Sequence, residues 1–159
     1  MFTKSNYSGT IEQQYELLSK QLDALLDGET DLIANLSNAS ALLNQFLDQI
    51  NWVGFYLNKN GELVLGPFQG LPACVRIAIG KGVCGTAAMK KETVVVEDVH
   101  EFPGHIACDA ASNSEIVLPI IKNEELIGVL DIDSPIKNRF SDEDRTGLEK
   151  FVEILIKHI

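Results

Sequence analysis

Three thiols and three carboxylic acids crowd one stretch of this chain. The cysteines stand in Gly66-Pro-Phe-Gln-Gly-Leu-Pro-Ala-Cys74, in Gly80-Lys-Gly-Val-Cys84-Gly-Thr86 and in His105-Ile-Ala-Cys108-Asp109. Each is close to glycine, proline or a turn-forming polar residue. Thiols at such positions suit redox or nucleophilic work, which the thiolate performs. Cys84 lies between Gly82 and Gly85 at an expected helix start, where free N–H groups and the helix dipole favour a thiolate. Cys108 falls in a long polar loop, and Cys74 follows Gly70-Leu-Pro72 at a strand entrance. The alternative for any one of them is an inert buried thiol, which is how most lone cysteines behave.

The acids close the stretch as Ser114-Glu115 and Asp131-Ile-Asp133. On a strand, Asp131 and Asp133 share one face while Ile132 points to the other. Glu115 begins the preceding strand, so adjacent strands bring the three carboxyls together. A crowded acid group cannot ionise fully, and one member then keeps a proton near neutral pH for use as an acid. The alternative is strand-end acids facing solvent. Trp52 and Tyr56, at i and i+4 of one strand, share a face and can wall a small pocket, although a single tryptophan is more often core. His105 near Cys108 suggests a Cys/His pair and ranks below the acids. Nine and twenty-three residues separate the cysteines, with no Cys-x-x-Cys knuckle, so neither a structural metal nor a static disulfide framework is expected. Gly80, Gly82 and Gly85 lack the Lys-Ser/Thr ending of a phosphate loop. The reading calls for no cofactor.

These side chains need a scaffold, and the hydrophobic period supplies one. Residues 10–26 read as a helix with Ile11, Tyr15, Leu18, Leu22 and Leu25 on one stripe, widened by Leu17 and Leu26. Gly28 is its stop, and Thr30 the expected N-cap of a second helix over 31–50 carrying Leu32, Leu36, Leu43, Phe46, Leu47 and Ile50. From Trp52 the period becomes that of strands. Residues 52–57 and 63–65 flank an Asn60-Gly61 hairpin turn. A strand over 75–79, a short helix over 83–90 and a strand over 93–97 follow. Residues 98–114 form a long loop of the sort that often carries function. Strands at 115–121 and 126–132 precede a last helix over 141–159, opened by the capping box Ser141-Asp-Glu-Asp144. This order predicts one α+β domain, with a largely antiparallel sheet and helices gathered on one face.

Composition narrows the function. The net charge of −10 offers no basic block to nucleic acid or an anionic membrane. No apolar run reaches the roughly 18 residues of a membrane helix. The N-terminus lacks the pattern of a secretory signal, which sets the expectation of a cytoplasmic protein with reduced thiols.

Taken together and in order, Asn51-Trp-Val-Gly-Phe-Tyr56, Leu65-Gly-Pro-Phe-Gln-Gly70, Gly80-Lys-Gly-Val-Cys-Gly85, Asp98-Val-His-Glu-Phe-Pro-Gly-His-Ile-Ala-Cys-Asp109, Ser114-Glu115 and Gly128-Val-Leu-Asp-Ile-Asp-Ser134 resemble the free methionine-(R)-sulfoxide reductases. The resemblance implies a single GAF-like domain over 1–159, with N-terminal helices over 10–50, the catalytic sheet and loops over 51–135 and the C-terminal helix over 141–159. It also implies reduction of the free amino acid sulfoxide, recycled by a thioredoxin-type dithiol. By the same resemblance Cys108 is the nucleophile, Cys74 its first resolving partner and Cys84 an assisting or recycling thiol. Glu115, Asp131 and Asp133 are the pocket acids, and Trp52 and Tyr56 the wall. The helix-start expectation for Cys84 conflicts with this order of roles.

Two other functions compete. One is a ligand-binding GAF regulator, for which one domain of 159 residues leaves no attached module and an acidic pocket offers no phosphate partner. The other is a thiol sensor without turnover. A homodimer is expected from the two apolar N-terminal helices, although helices that merely cover the sheet would look the same.

Overall fold

A computed structural model describes residues 2–106 and 108–159. Its elements are α1 (Ile11–Leu26), α2 (Leu32–Phe46), β1 (Trp52–Lys59), β2 (Glu62–Gly70), β3 (Arg76–Ala78), α3 (Gly82–Lys90), β4 (Val94–Val96), β5 (Ser114–Lys122), β6 (Glu125–Ser134) and α4 (Asp142–Ile156). The strands form one sheet in the order β3-β2-β1-β6-β5-β4. Every neighbouring pair is antiparallel. Both central connections are tight. Asn60 and Gly61 turn β1 into β2 with φ of 54° and 84°, and Asn123 and Glu124 turn β5 into β6 with φ of 51° and 67°. Two successive positive φ values match the right-handed twist of the strands they join.

The pleat divides the sheet into two unlike faces. Val53, Phe55 and Leu57 of β1, Ile116, Leu118 and Ile120 of β5, and Leu130 and Ile132 of β6 meet α1, α2 and α4 in one apolar core. Leu18, Leu22, Leu36, Leu43, Phe151 and Leu155 are fully buried in it. Each such side chain contributes about 1.5–3 kcal/mol relative to an exposed one. The helix stripes are therefore spent inside the chain, on the sheet and on one another. Tyr15 Oη donates to Asp144 Oδ1 at 2.6 Å and locks α1 onto α4. The opposite face carries α3 and the two loops that lead to and from Cys74 and Cys108.

Several expectations need adjusting. The α2 N-cap is Asp31, not Thr30, because the Asp31 carboxylate accepts from Ala34 N at 2.8 Å. That helix ends at Phe46 rather than near 50, though Leu47 stays in the core. Ile11 and Leu17 are exposed, so the buried stripe of α1 is narrower than its apolar content. The long loop contains a 3-10 turn, Val99–Glu101, capped by Asp98 Oδ1 accepting from His100 N at 3.0 Å. Ser141 and Asp144 do form the expected capping box on α4. No helix among the described residues is long and apolar enough to cross a membrane.

Candidate functional site

The site is built on the face away from α1, α2 and α4, around the central strands. Glu115 of β5 lies directly opposite Asp133 of β6, and Asp131 is two residues along on the same face. On its other side β6 pairs with β1, setting Trp52 opposite Asp133 and Gly54 opposite Asp131. Glu115 and Asp131 are buried, at 5% and 6% exposure, and Asp133 is half-buried. They are not solvent-facing strand ends. Trp52 and Tyr56 stack at 5.9 Å between centroids and form the wall beside the acids.

The same aromatics hold the first cysteine loop. Trp52 Nε1 donates to Leu71 O at 3.1 Å, and Tyr56 Oη donates to Cys74 O at 2.8 Å. Phe68 stacks on the outer side of Trp52 at 5.1 Å. The second cysteine loop is tied down just after Cys108. Asn51 Nδ2 donates to Asp109 Oδ2 at 3.0 Å and to Ser112 Oγ at 3.1 Å. Asn113 N donates to Ser134 O at 2.8 Å, and Ser114 Oγ to Ile136 O at 2.6 Å. The two loops meet: Cys74 and Cys108 form a disulfide with a Cα–Cα distance of 5.8 Å across 34 residues of sequence.

The third cysteine comes from α3. Gly85 lets that helix press on the turn before it, since a Cβ there would stand 2.5 Å from Ala78 O. Gly80 N donates to Gly85 O at 2.8 Å across this contact. The result is one pocket reached by Trp52, Tyr56, Cys84, Cys108 and all three acids, with the first residues of α3 along one side.

Known proteins match this chain in sequence and fold. The family model described as GAF domain matches residues 21–159. The free methionine-R-sulfoxide reductase of Escherichia coli is 57% identical over 143 residues, covering 90% of this chain and 87% of that protein. A structure of fRMsr of Staphylococcus aureus in complex with substrate is 58% identical, with a TM-score of 0.88, and covers 97% of this chain and 99% of that one. The free methionine-R-sulfoxide reductase of Neisseria meningitidis, in complex with its substrate, is 42% identical with a TM-score of 0.94, over 99% and 95% of the two chains. This chain belongs to the free methionine-(R)-sulfoxide reductase family of GAF domains.

In this reductase family member, burial decides the electrostatics of the acids. Loss of water pushes the carboxyl of Glu115 well up, and the charges of Asp131 and Asp133 push it further. Asp133 is raised by burial first and by Asp131 second. Burial raises Asp131 as well, but the neighbouring Glu115 and Cys84, as potential donors to its carboxylate, oppose that rise. Asp131 is thus the member best placed to be the carboxylate, while Glu115 and Asp133 keep protons to higher pH.

Cys84 departs from its sequence-based expectation. It is buried, and burial followed by the charges of Asp131, Glu115 and Asp133 raises its thiol well above the ordinary value. Its position in the first turn of α3 does favour a thiolate, but burial first and the facing acids second outweigh that preference. It is also the free cysteine, while Cys74 and Cys108 are joined. His105 does not pair with Cys108 as a Cys/His couple. Its Nε2 faces Glu115 Oε1 at 3.8 Å, and burial lowers its pKa. The sequence reading ranked His105 below the acids and did not single out Asn51, Asp109 and Ser112, which tie down the second cysteine loop. The polar crowding of the long loop was the signal for Asp109 and Ser112, whereas Asn51 was marked only as the first residue of the Asn51–Tyr56 motif.

Proposed function

We propose that this chain reduces free methionine (R)-sulfoxide to methionine with Cys108 as the nucleophile. The observation that carries this is the Cys74–Cys108 disulfide at a pocket floored by Glu115, Asp131 and Asp133. The relatives named for this activity supply the substrate class.

The Cys108 thiolate attacks the sulfoxide sulfur, and a protonated carboxyl, Glu115 or Asp133, delivers a proton to the departing oxygen. Methionine leaves, and the oxygen stays on Cys108 as a sulfenic acid. The Cys74 thiol condenses with that acid, forming the disulfide and releasing water. A thioredoxin-type dithiol reopens it by exchange and is itself oxidised. Cys84 assists or recycles, and its raised pKa fits it for a late role rather than first attack.

Specificity for the free amino acid follows from its two charges. The ammonium takes the Asp131 carboxylate and its neighbours, a charge-assisted pairing that a sulfoxide inside a protein cannot make. The carboxylate takes the open N–H groups that start α3, where no side chain caps the helix. Trp52 and Tyr56 hold the apolar chain. Dependence on a reducing partner suits a cytoplasmic location. A homodimer through the outer faces of α1 and α2, where Leu17 and Ile33 are exposed, belongs to the same proposal and is checked by sedimentation equilibrium.

The test is turnover. Racemic free methionine sulfoxide is incubated with the protein and dithiothreitol, then resolved by chiral chromatography. Loss of the R form alone supports the proposal. Loss of neither form leaves a sensor or a ligand-binding domain as the better reading.

A further inference from the structure

Between α3 and the β5–β6 pair, Cys84 Sγ, a Glu115 carboxylate oxygen and an Asp131 carboxylate oxygen all lie within 4.8 Å of one another. All three residues are buried. A thiol with two carboxyls is a donor set that zinc-like divalent ions accept, with the sulfur favouring thiophilic ions over magnesium or calcium. A second observation points to a ligand here. Asp131 Oδ1 is buried with no hydrogen-bond partner, on a residue only 6% exposed that lines the pocket. His105 Nε2 lies 3.8 Å from Glu115 Oε1, beside the three donors rather than among them.

We propose that this pocket is also a binding site for Zn2+ or a similar thiophilic divalent ion, held by Cys84, Glu115 and Asp131. Neither Cys74 nor Cys108 is needed, so the disulfide form takes the ion too. The ion uses the carboxylates assigned above to the substrate ammonium, and metal and sulfoxide therefore exclude each other. Binding of the ion is independent of the proposed activity, whereas the competition rests on it. A metal-loaded chain is inactive until the ion is removed, which makes the pocket a sensor of free zinc as well as a reaction site.

Co2+ is the probe, because a tetrahedral site with a thiolate ligand gives visible d–d bands and a near-ultraviolet sulfur-to-metal charge-transfer band. The full-length protein is titrated with its Cys74–Cys108 disulfide intact, so that Cys84 is the available thiol. One equivalent of Co2+ with both sets of bands is expected, displaced by Zn2+. Cys84→Ala should abolish the charge-transfer band. Asp131→Asn should keep that band and weaken binding by at least about tenfold, the lower range for loss of a supporting group at a metal centre. Absence of bound Co2+ overturns the proposal, as does a charge-transfer band that survives in Cys84→Ala. Free methionine sulfoxide should displace the ion. Failure to displace it removes the competition, and a protein that turns over sulfoxide yet binds no Co2+ loses only the metal site.

Discussion

The two faces of the central sheet are made from the same strands and do opposite things. On β6, Leu130 and Ile132 are fully buried against the helices, while Asp131 and Asp133, interleaved with them, form the floor of the pocket. On β1, Val53 and Phe55 go to the helix core, and Trp52 and Tyr56 wall the site. A period of two thus writes core and chemistry into one run of residues. The difference teaches where stability and reactivity reside. The helix face gains from burying apolar groups. The site face holds buried carboxyls and an unpartnered oxygen at Asp131, features that cost folding free energy and are useful only to a charged ligand.

The contrast can be broken residue by residue. The largest expected effect is Cys108→Ser, which removes the proposed nucleophile and should lower kcat/KM by about three orders of magnitude or more, measured as methionine formed. Glu115→Gln should lower kcat/KM by roughly 10²–10⁴-fold if it is the acid, yet leave stability equal or higher in urea unfolding, because a buried ionisable group is replaced by a neutral one. A larger loss in Asp133→Asn than in Glu115→Gln moves the donor role to Asp133. On the other face, Ile132→Ala should do the reverse, costing about 2–5 kcal/mol of stability with kcat little changed in the protein that remains folded.

The smallest effect is the most diagnostic of buried acids. Glu115 and Asp133 have pKa values raised in the folded chain. Below the unfolded values of roughly 4, both states hold the protons and the advantage of the folded state is complete. As pH rises, the unfolded chain releases protons that the folded chain retains, so stability falls until the folded values are passed. Urea unfolding from pH 4 upward should show this decline in the wild type and a flatter curve in Glu115→Gln. An identical slope in the two proteins would show that Glu115 is not held neutral by burial.

Much of this division was legible in the sequence for a simple reason. The acids stand on neighbouring strands joined by one short turn, so period and adjacency suffice to bring Glu115 to Asp133. Trp52 and Tyr56 follow from the same period. The meeting of Cys74 with Cys108 was not legible from spacing. It depends on Trp52 and Tyr56 holding one loop and Asn51 holding the other, contacts between residues far apart in the chain. It entered only through family resemblance. Cys84 was misjudged as the most acidic thiol because a helix-start rule counts that residue's own helix and neither its burial nor the acids of β5 and β6 facing it. The direction of His105, toward Glu115, was not legible either, since loop residues carry no period that tells which way they point. The apolar stripe of α1 was overdrawn at Ile11 and Leu17, since amphipathic pattern cannot tell the edge of a buried face from its centre.

The claim that thiol and acids serve one substrate is tested most directly by trapping the first intermediate. Reduced Cys74→Ser protein, which lacks the proposed first resolving thiol, is mixed with free methionine (R)-sulfoxide in the presence of dimedone and read by peptide mass spectrometry. One dimedone adduct on Cys108, with one methionine released per chain, is the result expected. An adduct on Cys84 instead, or methionine formed while Cys108 remains an unmodified thiol, would contradict it.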